Sequence, residues 1–386
     1  MRRNTLMTIA CLGMLAFGIV LTTLGASLPT VIARFGIDKS QAGALFLLLS
    51  FGILAGSLVF GPVVDRRGYK GLLIFALAGI GAGLELIAFA PSLGVLRMGV
   101  VLIGFAGGIV NGATNALVAD ISTESRGAGL SLLGVFFGIG AAGVPFALSQ
   151  LAGRYSHAAI VAATGALMVL PVGLTLLSQF PAAKQEHGTP LADVAQLLRD
   201  PVLLTFGFML FLQSGMEITV GGWTSTFFAE ELGVAADRAL VYLSLYWVGM
   251  MLARLALGTL LRRVRPVPAL LTCLGVALCG ASLLLLTRSV TVAAAGVFLL
   301  GAGFAATFPV VLGFVGDRYA RLSGTAFSVA IVMALVGGML LPWATGVLGA
   351  TYGLRGSFLI VPACLVVSAT LLAVVAPRAA RTAATT

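Results

Sequence analysis

Residues 61–70 read Gly61-Pro-Val-Val-Asp65-Arg66-Arg67-Gly68-Tyr69-Lys70. This polar decapeptide stands between two apolar runs, 40–60 and 71–90. About 20 apolar residues are needed for a helix to cross the hydrocarbon core of a bilayer. The stretch therefore reads as a tight turn joining two membrane helices at one face. Gly68 supplies the reversal. Gly61 is expected to let helices approach closely, and Asp65 to cap a neighbouring helix or pair with a loop arginine. Together with Arg66 and Lys70, these residues read as a gate latch.

Working outward, the same pattern recurs along the chain. The protein has 386 residues, 59% hydrophobic and only 9% charged, against about 25% charged in a soluble domain. So apolar a chain lacks a polar coat, and the excess must face lipid. Twelve apolar runs follow, at about 6–30, 40–60, 71–90, 95–119, 127–152, 158–179, 202–228, 239–261, 267–287, 291–315, 324–349 and 356–376. The first is too long for a signal peptide and reads as a retained helix. Gly is abundant, 50 in all, as suits close helix contact in membranes. The expected fold is all-α: twelve transmembrane helices in two pseudo-symmetric six-helix bundles.

The net charge of +10 could point to nucleic acid, but the basic residues fall in short clusters between apolar runs. They set orientation instead. With the N-terminus inside, 15 Lys/Arg lie on the cytoplasmic side and 6 outside; Arg97 and Arg254 within spans complete the 23. Both termini are therefore expected in the cytoplasm, in a cell (plasma or inner) membrane. The four cysteines, Cys11, Cys273, Cys279 and Cys364, lie inside apolar runs without metal-ligand spacing, so no disulfide framework or metal site is expected.

The chain divides into 1–180, a linker 181–201 and 202–386. Leu191, Val194, Leu197 and Leu198 recur at helical spacing in the linker, which reads as a short interfacial helix. The halves resemble copies offset by 197: Gly36 meets Gly233, Gly61 meets Gly258, Arg66 meets Arg263, Gly104 meets Gly301, Asp120 meets Asp317 and Pro145 meets Pro342. Such internal duplication marks transporters that rock around a central site. The second-half counterpart of the decapeptide keeps Gly258 and Arg263 but has Arg262 where the acid should be, so the latch is expected to be asymmetric.

The decapeptide resembles the signature loop of the major facilitator superfamily, G-x-x-x-D-R-x-G-x-[RK], at the expected place between spans 2 and 3. The resemblance implies a secondary transporter working by alternating access, with no cofactor beyond a proton or sodium gradient.

Ionisable groups within hydrocarbon cost several kcal/mol and are site candidates by default. Four stand here: Glu85, Arg97, Glu217 and Arg254. Glu217 lies in span 7 within Gln213-Ser-Gly-Met-Glu217-Ile-Thr-Val-Gly221-Gly222-Trp223-Thr224. Gln213, Glu217 and Thr224 share one helix face within about 40°. Gly221-Gly222 could unwind the helix there. A carboxylate and an amide beside the Trp223 indole suit a sugar, whose hydroxyls need polar partners and whose C–H face stacks on rings. Glu217 is the leading proton carrier, because burial penalises its charged form. Asn111 and Asn115 in span 4, one turn apart, are expected to hydrogen-bond either the solute or a neighbouring helix of the bundle. Tyr246, Trp247 and Trp343 are cavity-lining candidates. Glu85 is a second coupling candidate, although an ion pair with Arg97 across the turn at Pro91 is the simpler account. Arg254 reads as a gating arginine near the inner end of span 8.

Glu217 through Trp223, and Ser131 through Pro145 in span 5, resemble the fucose permease-like, sugar–proton symporter branch of the superfamily. That resemblance implies coupling carboxylates in the first and fourth spans. Here the first has none and the fourth only Asp120, which moves coupling to Glu217 or Glu85. A proton-coupled drug exporter is the rival, weakened by Val100 four places before Gly104 and by Val144 between Gly143 and Pro145; a facilitative uniporter is the other alternative. Only His157 and His187 are present, both in loops, and no nucleophile–base motif occurs, so neither an enzyme nor a catalytic residue is expected. Partners are a small solute, read as a sugar, and the bilayer; nucleic acid is not expected, and the protein is expected to be a monomer.

Overall fold

The computed structural model describes residues 2–121, 126–181, 199–260, 264–319 and 323–382. The expected linker helix at 191–198, and Arg262 and Arg263, lie outside them. Among the described residues the regular structure is helical, without strands.

Eleven helices among the described residues are long and apolar enough to cross a membrane: Arg3–Phe35, Lys39–Arg67, Tyr69–Ala88, Leu93–Ile121, Gly129–Leu151, His157–Leu177, Pro201–Glu231, Ala236–Gly258, Pro266–Leu286, Val290–Arg318 and Ala326–Ser357. A twelfth, Ile360–Thr382, carries an apolar stretch over Ile360–Val375. These are spans 1–12. Within each half consecutive spans run antiparallel, so the turn at Gly68 lies on one face and that at Gly36 on the other; the Lys39–Glu230 pair puts the turn at Gly233 on the Gly36 face.

Local chemistry sets the ends. Asp38 caps span 2 by accepting from the Gln41 N–H, and the Gln41 side chain returns a bond to the Asp38 backbone, which satisfies amides the helix start leaves open. Gly36 and Gly233 have φ of 61° and 65°, a left-handed conformation that favours glycine, and they stand 197 positions apart. Gly68, at φ 75°, makes the reversal between spans 2 and 3.

The duplication is visible in packing. A Cβ on Gly83 would lie 3.1 Å from the Gly99 carbonyl oxygen, and one on Gly99 would lie 3.0 Å from that of Gly83. In the second half, a Cβ on Gly280 would lie 2.5 Å from the Gly296 oxygen and one on Gly296 2.7 Å from that of Gly280. Gly104 presses on the Leu49 carbonyl as Gly301 presses on that of Tyr246, and Gly52 meets Val101 as Gly249 meets Phe298. Every partner is displaced by 197. Where side chains larger than hydrogen would block approach, glycine recurs, because dispersion between close backbones holds helices together in lipid.

The halves diverge at their polar clamps. The Arg34 guanidinium donates to the Ala88 and Ala90 carbonyls at 3.3 and 2.7 Å. The matching carbonyls, Leu285 and Thr287, accept from Arg355 at 2.6 and 2.8 Å. The same span ends are thus held by an arginine from span 1 in one half and from span 11 in the other. Position 231, where an arginine homologous to Arg34 would stand, is Glu231, and it pairs with Arg355 at 3.6 Å.

Between halves, contact runs from the Gly36 face to mid-membrane. Lys39 pairs with Glu230 at 2.9 Å. The Ser225 hydroxyl donates to the Gly25 carbonyl at 2.8 Å, Ser50 to Gly338 at 3.0 Å and Ser244 to Ala142 at 3.0 Å. A Cβ on Gly25 would lie 2.5 Å from the Gly221 oxygen, and one on Gly43 3.0 Å from the Trp343 oxygen. Toward the Gly68 face, beyond the contact of Gly138 with Met251, spans 5 and 8 part around a cavity.

Candidate functional site

Glu217 sits midway along span 7, on a helix that is regular from Pro201 to Glu231. Its side chain is 12% exposed and faces Arg254 of span 8, with Nη2 3.7 Å from Oε1. The other carboxylate oxygen, Oε2, is buried without a hydrogen-bond partner. One turn earlier, the buried Gln213 donates through Nε2 to the Phe304 carbonyl of span 10 at 3.2 Å. Its Oε1 is likewise buried and unpartnered. Tyr246 donates its hydroxyl to the Glu217 carbonyl at 3.3 Å, while the buried Trp247 leaves its Nε1–H unused. Trp247 meets Phe137 of the first half edge-on at 5.8 Å, and the Arg254 guanidinium lies over the same Phe137 ring at 5.9 Å. The indole and guanidinium of span 8, the latter beside the acid of span 7, thus converge on one aromatic side chain from span 5.

Below this cluster, toward the Gly68 face, lies a cavity of about 360 Å³ bounded by spans 5, 8 and 10. Leu130, Val135, Leu255, Leu257 and Pro309 line it, and Arg254 is its charged wall. Both halves contribute, so rocking them would reshape it. Among the described residues no group of three or more His, Cys, Asp or Glu could hold a metal.

The structure rearranges several residues of the sequence reading. Gly221 and Gly222 do not unwind span 7; a Cβ on Gly221 would strike Trp247, and one on Gly222 would strike Phe46, so both glycines serve close packing. Trp223 is fully buried, tilted on Phe46 at 5.9 Å, with Nε1 donating to the Pro342 carbonyl at 3.0 Å. It fills the closed interface between halves and does not line the open cavity. Thr224 is buried and bonds its own helix at Val220. Trp343 is 37% exposed; its backbone, not its indole, packs on Gly43. Asn115 donates to the Asn111 carbonyl at 2.8 Å and to its Oδ1 at 3.1 Å, and approaches Met14 of span 1. The asparagines therefore bond to each other rather than to the Glu217 cluster.

Glu85 and Arg97 form no ion pair: Glu85 points at Gly165 of span 6, and Arg97 is exposed. This places Glu85 in the periphery of the first half, away from the interface on which a coupling group would act. Arg254, read as a gate residue, is the partner of Glu217. At the decapeptide, a Cβ on Gly61 would meet nothing within 4 Å, so it makes no close approach. Asp65 does not cap span 3, whose N-cap is Gly68 without a side-chain bond; Tyr69 instead donates to Asp120 at 2.7 Å. Arg66 is exposed and Lys70 half-buried. Phe137 and Phe304 were missed, because a phenylalanine in an apolar run carries no signal of what it faces.

A sequence profile described as Major Facilitator Superfamily matches residues 10–331. The uncharacterized transporter y4wD of Sinorhizobium fredii is 25% identical over 372 residues, covering 95% of this chain and 96% of that one. The multidrug resistance protein MdtG of Escherichia coli is 25% identical over 378 residues, covering 93% and 91%. Among solved structures, a mutant form of the nucleoside transporter NupG superimposes with a TM-score of 0.83 at 16% identity, covering 97% of this chain and 100% of that one. A D-xylose–proton symporter gives 0.78 at 16% identity, with 96% and 97% coverage. These structural likenesses carry the fold.

Proposed function

The chain belongs to the major facilitator superfamily and is a multi-pass membrane transporter, and from that premise we propose that it moves a small hydroxylated solute of sugar size together with protons. The observation that carries the reading is the set of unpartnered polar atoms at Gln213 Oε1, Glu217 Oε2 and Trp247 Nε1. Buried polar groups almost always find partners. Two acceptors and a donor left unpaired behind Arg254, the charged wall of the cavity, match a solute that brings hydroxyl groups.

The halves, 1–180 and 202–386, rock about this site. Their contacts close the Gly36 face. With the basic-rich Gly68 face in the cytoplasm, the conformation is open inward. Glu217 is the coupling group: protonation cancels its charge beside Arg254, loosens the pair and biases the equilibrium between the two states. Proteoliposomes with and without a pH gradient test this. Glu217→Gln is expected to abolish gradient-driven accumulation while retaining solute exchange at zero gradient. Undiminished accumulation would remove Glu217 from coupling and leave a sodium gradient or uniport.

The export of apolar compounds is a second reading, favoured by the Leu130, Val135, Leu255 and Leu257 walls and by the likeness to a multidrug resistance protein. Broad loss of drug susceptibility on expression, without sugar uptake, would establish it.

A further inference from the structure

The Arg254 guanidinium carries five N–H donors in a planar fork. Among the described residues none of them makes a hydrogen bond; the ion-pair partner, Glu217 Oε1, stands 3.7 Å from Nη2, beyond hydrogen-bond reach. Its Cζ lies 5.9 Å from the Phe137 ring centroid, a cation–π distance that holds the guanidinium without using its N–H groups. With 30% of its side chain exposed, it forms part of the 360 Å³ cavity wall. The other lining residues are aliphatic, Met, Pro or Gly, apart from Ser131. A snorkelling arginine at a lipid boundary would reach for water or headgroups. This one instead borders a cavity lined by both halves.

We propose that the transported solute carries an oxyanionic group, such as a carboxylate, which the Arg254 fork binds while an apolar face of the solute lies against Leu130, Val135, Leu255 and Pro309. This rests on the reading of the cavity as the transport site, and it narrows the cargo from a neutral sugar to an acid. A guanidinium matches a carboxylate through two parallel N–H···O bonds, which are stronger than neutral hydrogen bonds. Glu217 completes the logic. While charged it competes with the solute for Arg254; once protonated it releases the guanidinium, so one proton and one anion share the site without net charge.

A phosphate-bearing lipid headgroup presents the same oxyanion, so the experiment separates the sources. Thermal stabilisation of the purified protein is measured with two matched pairs, glucose against glucuronate and benzamide against benzoate, and with short-chain phosphatidylglycerol and tetraphenylphosphonium. In the unmodified protein the acid of at least one pair is expected to bind about tenfold more tightly than its neutral partner, the ratio that a single charge-assisted hydrogen bond supports. Arg254→Gln should erase that preference and Arg254→Lys should retain part of it. Glu217→Gln, which removes the competing carboxylate, should strengthen binding of the acid. Equal binding of acid and neutral partner overturns the inference; if Glu217→Gln still abolishes gradient-driven uptake of the neutral solute, the transport reading survives it. Stabilisation by phosphatidylglycerol alone assigns the guanidinium to lipid and overturns the inference. Response to the hydrophobic cation alone overturns both readings. The comparison within each pair uses the unmodified protein, so a variant that fails to fold does not shield the proposal.

Discussion

Replacing Gly25 by alanine tests whether the contact between halves belongs to one conformational state. An ideal Cβ there lies 2.5 Å from the Gly221 carbonyl oxygen and 2.9 Å from the Gly222 Cα. Ordinary contact begins near 3.5 Å, so two backbones, one in each half, must separate by roughly 1 Å. Neither can yield by a side-chain rotation. Overpacking of this kind costs about 1–3 kcal/mol, and it is paid only while the Gly36 face is closed. Alanine also favours a helix over glycine by about 1 kcal/mol, but equally in both states, so that term cancels. The ratio of closed to open at this face should therefore fall by about 5- to 150-fold. The assay uses a cysteine-free background in which Cys11, Cys273, Cys279 and Cys364 are replaced. Spin labels go at Tyr155→Cys and Arg238→Cys, exposed positions on the Gly36 face of opposite halves. Pulsed electron resonance should show a longer-distance population in Gly25→Ala. The control is Gly61→Ala, where a Cβ meets nothing within 4 Å and the distribution should not move. An unchanged distribution in folded Gly25→Ala would refute the claim that this contact is specific to one state.

Two further outcomes follow from the same geometry. Gly104→Ala and Gly301→Ala, which press on carbonyls at matching positions, should each lower thermal stability by a similar amount, on the order of 1–3 kcal/mol; a difference beyond about 1 kcal/mol, outside the usual scatter for equivalent sites, would show that the halves are not mechanically equivalent there. Lys39→Met removes an ion pair whose side chains are 26% and 40% exposed. Such pairs contribute about 0–1 kcal/mol, so the label distances should shift less than in Gly25→Ala; a larger shift would make the ion pair, rather than backbone packing, the principal lock.

Much of the architecture was legible in the chain. Hydropathy marks the spans because each must satisfy its backbone internally against lipid. The 197-residue offset was legible because glycine, proline and charged residues recur where backbones must approach or turn. Gly36 and Gly233 show this: their positive φ is a local requirement that leaves a local mark. The candidate site was legible only in outline. Glu217 and Arg254 each stood out as charges in apolar runs, yet nothing in their spacing paired them, since they stand 37 positions apart on either side of a turn. The reading of Gly221-Gly222 as a point of unwinding failed for a related reason. A glycine pair signals room, and whether that room is used for helix fracture or for a neighbouring ring depends on what stands opposite, here Trp247 and Phe46.

The sequence by itself determined that this chain lives in a bilayer, how many times it crosses, and that its second half echoes its first. Each of those follows from interactions a segment has with lipid, water or its own backbone. The tertiary structure alone decided that Arg254 faces Glu217, that Trp223 is sealed into the interface while Trp343 turns outward, and that one face is closed. Those outcomes depend on the rotation of each helix about its axis and the tilt of one half against the other. Both are set by summed contacts among residues far apart in the chain.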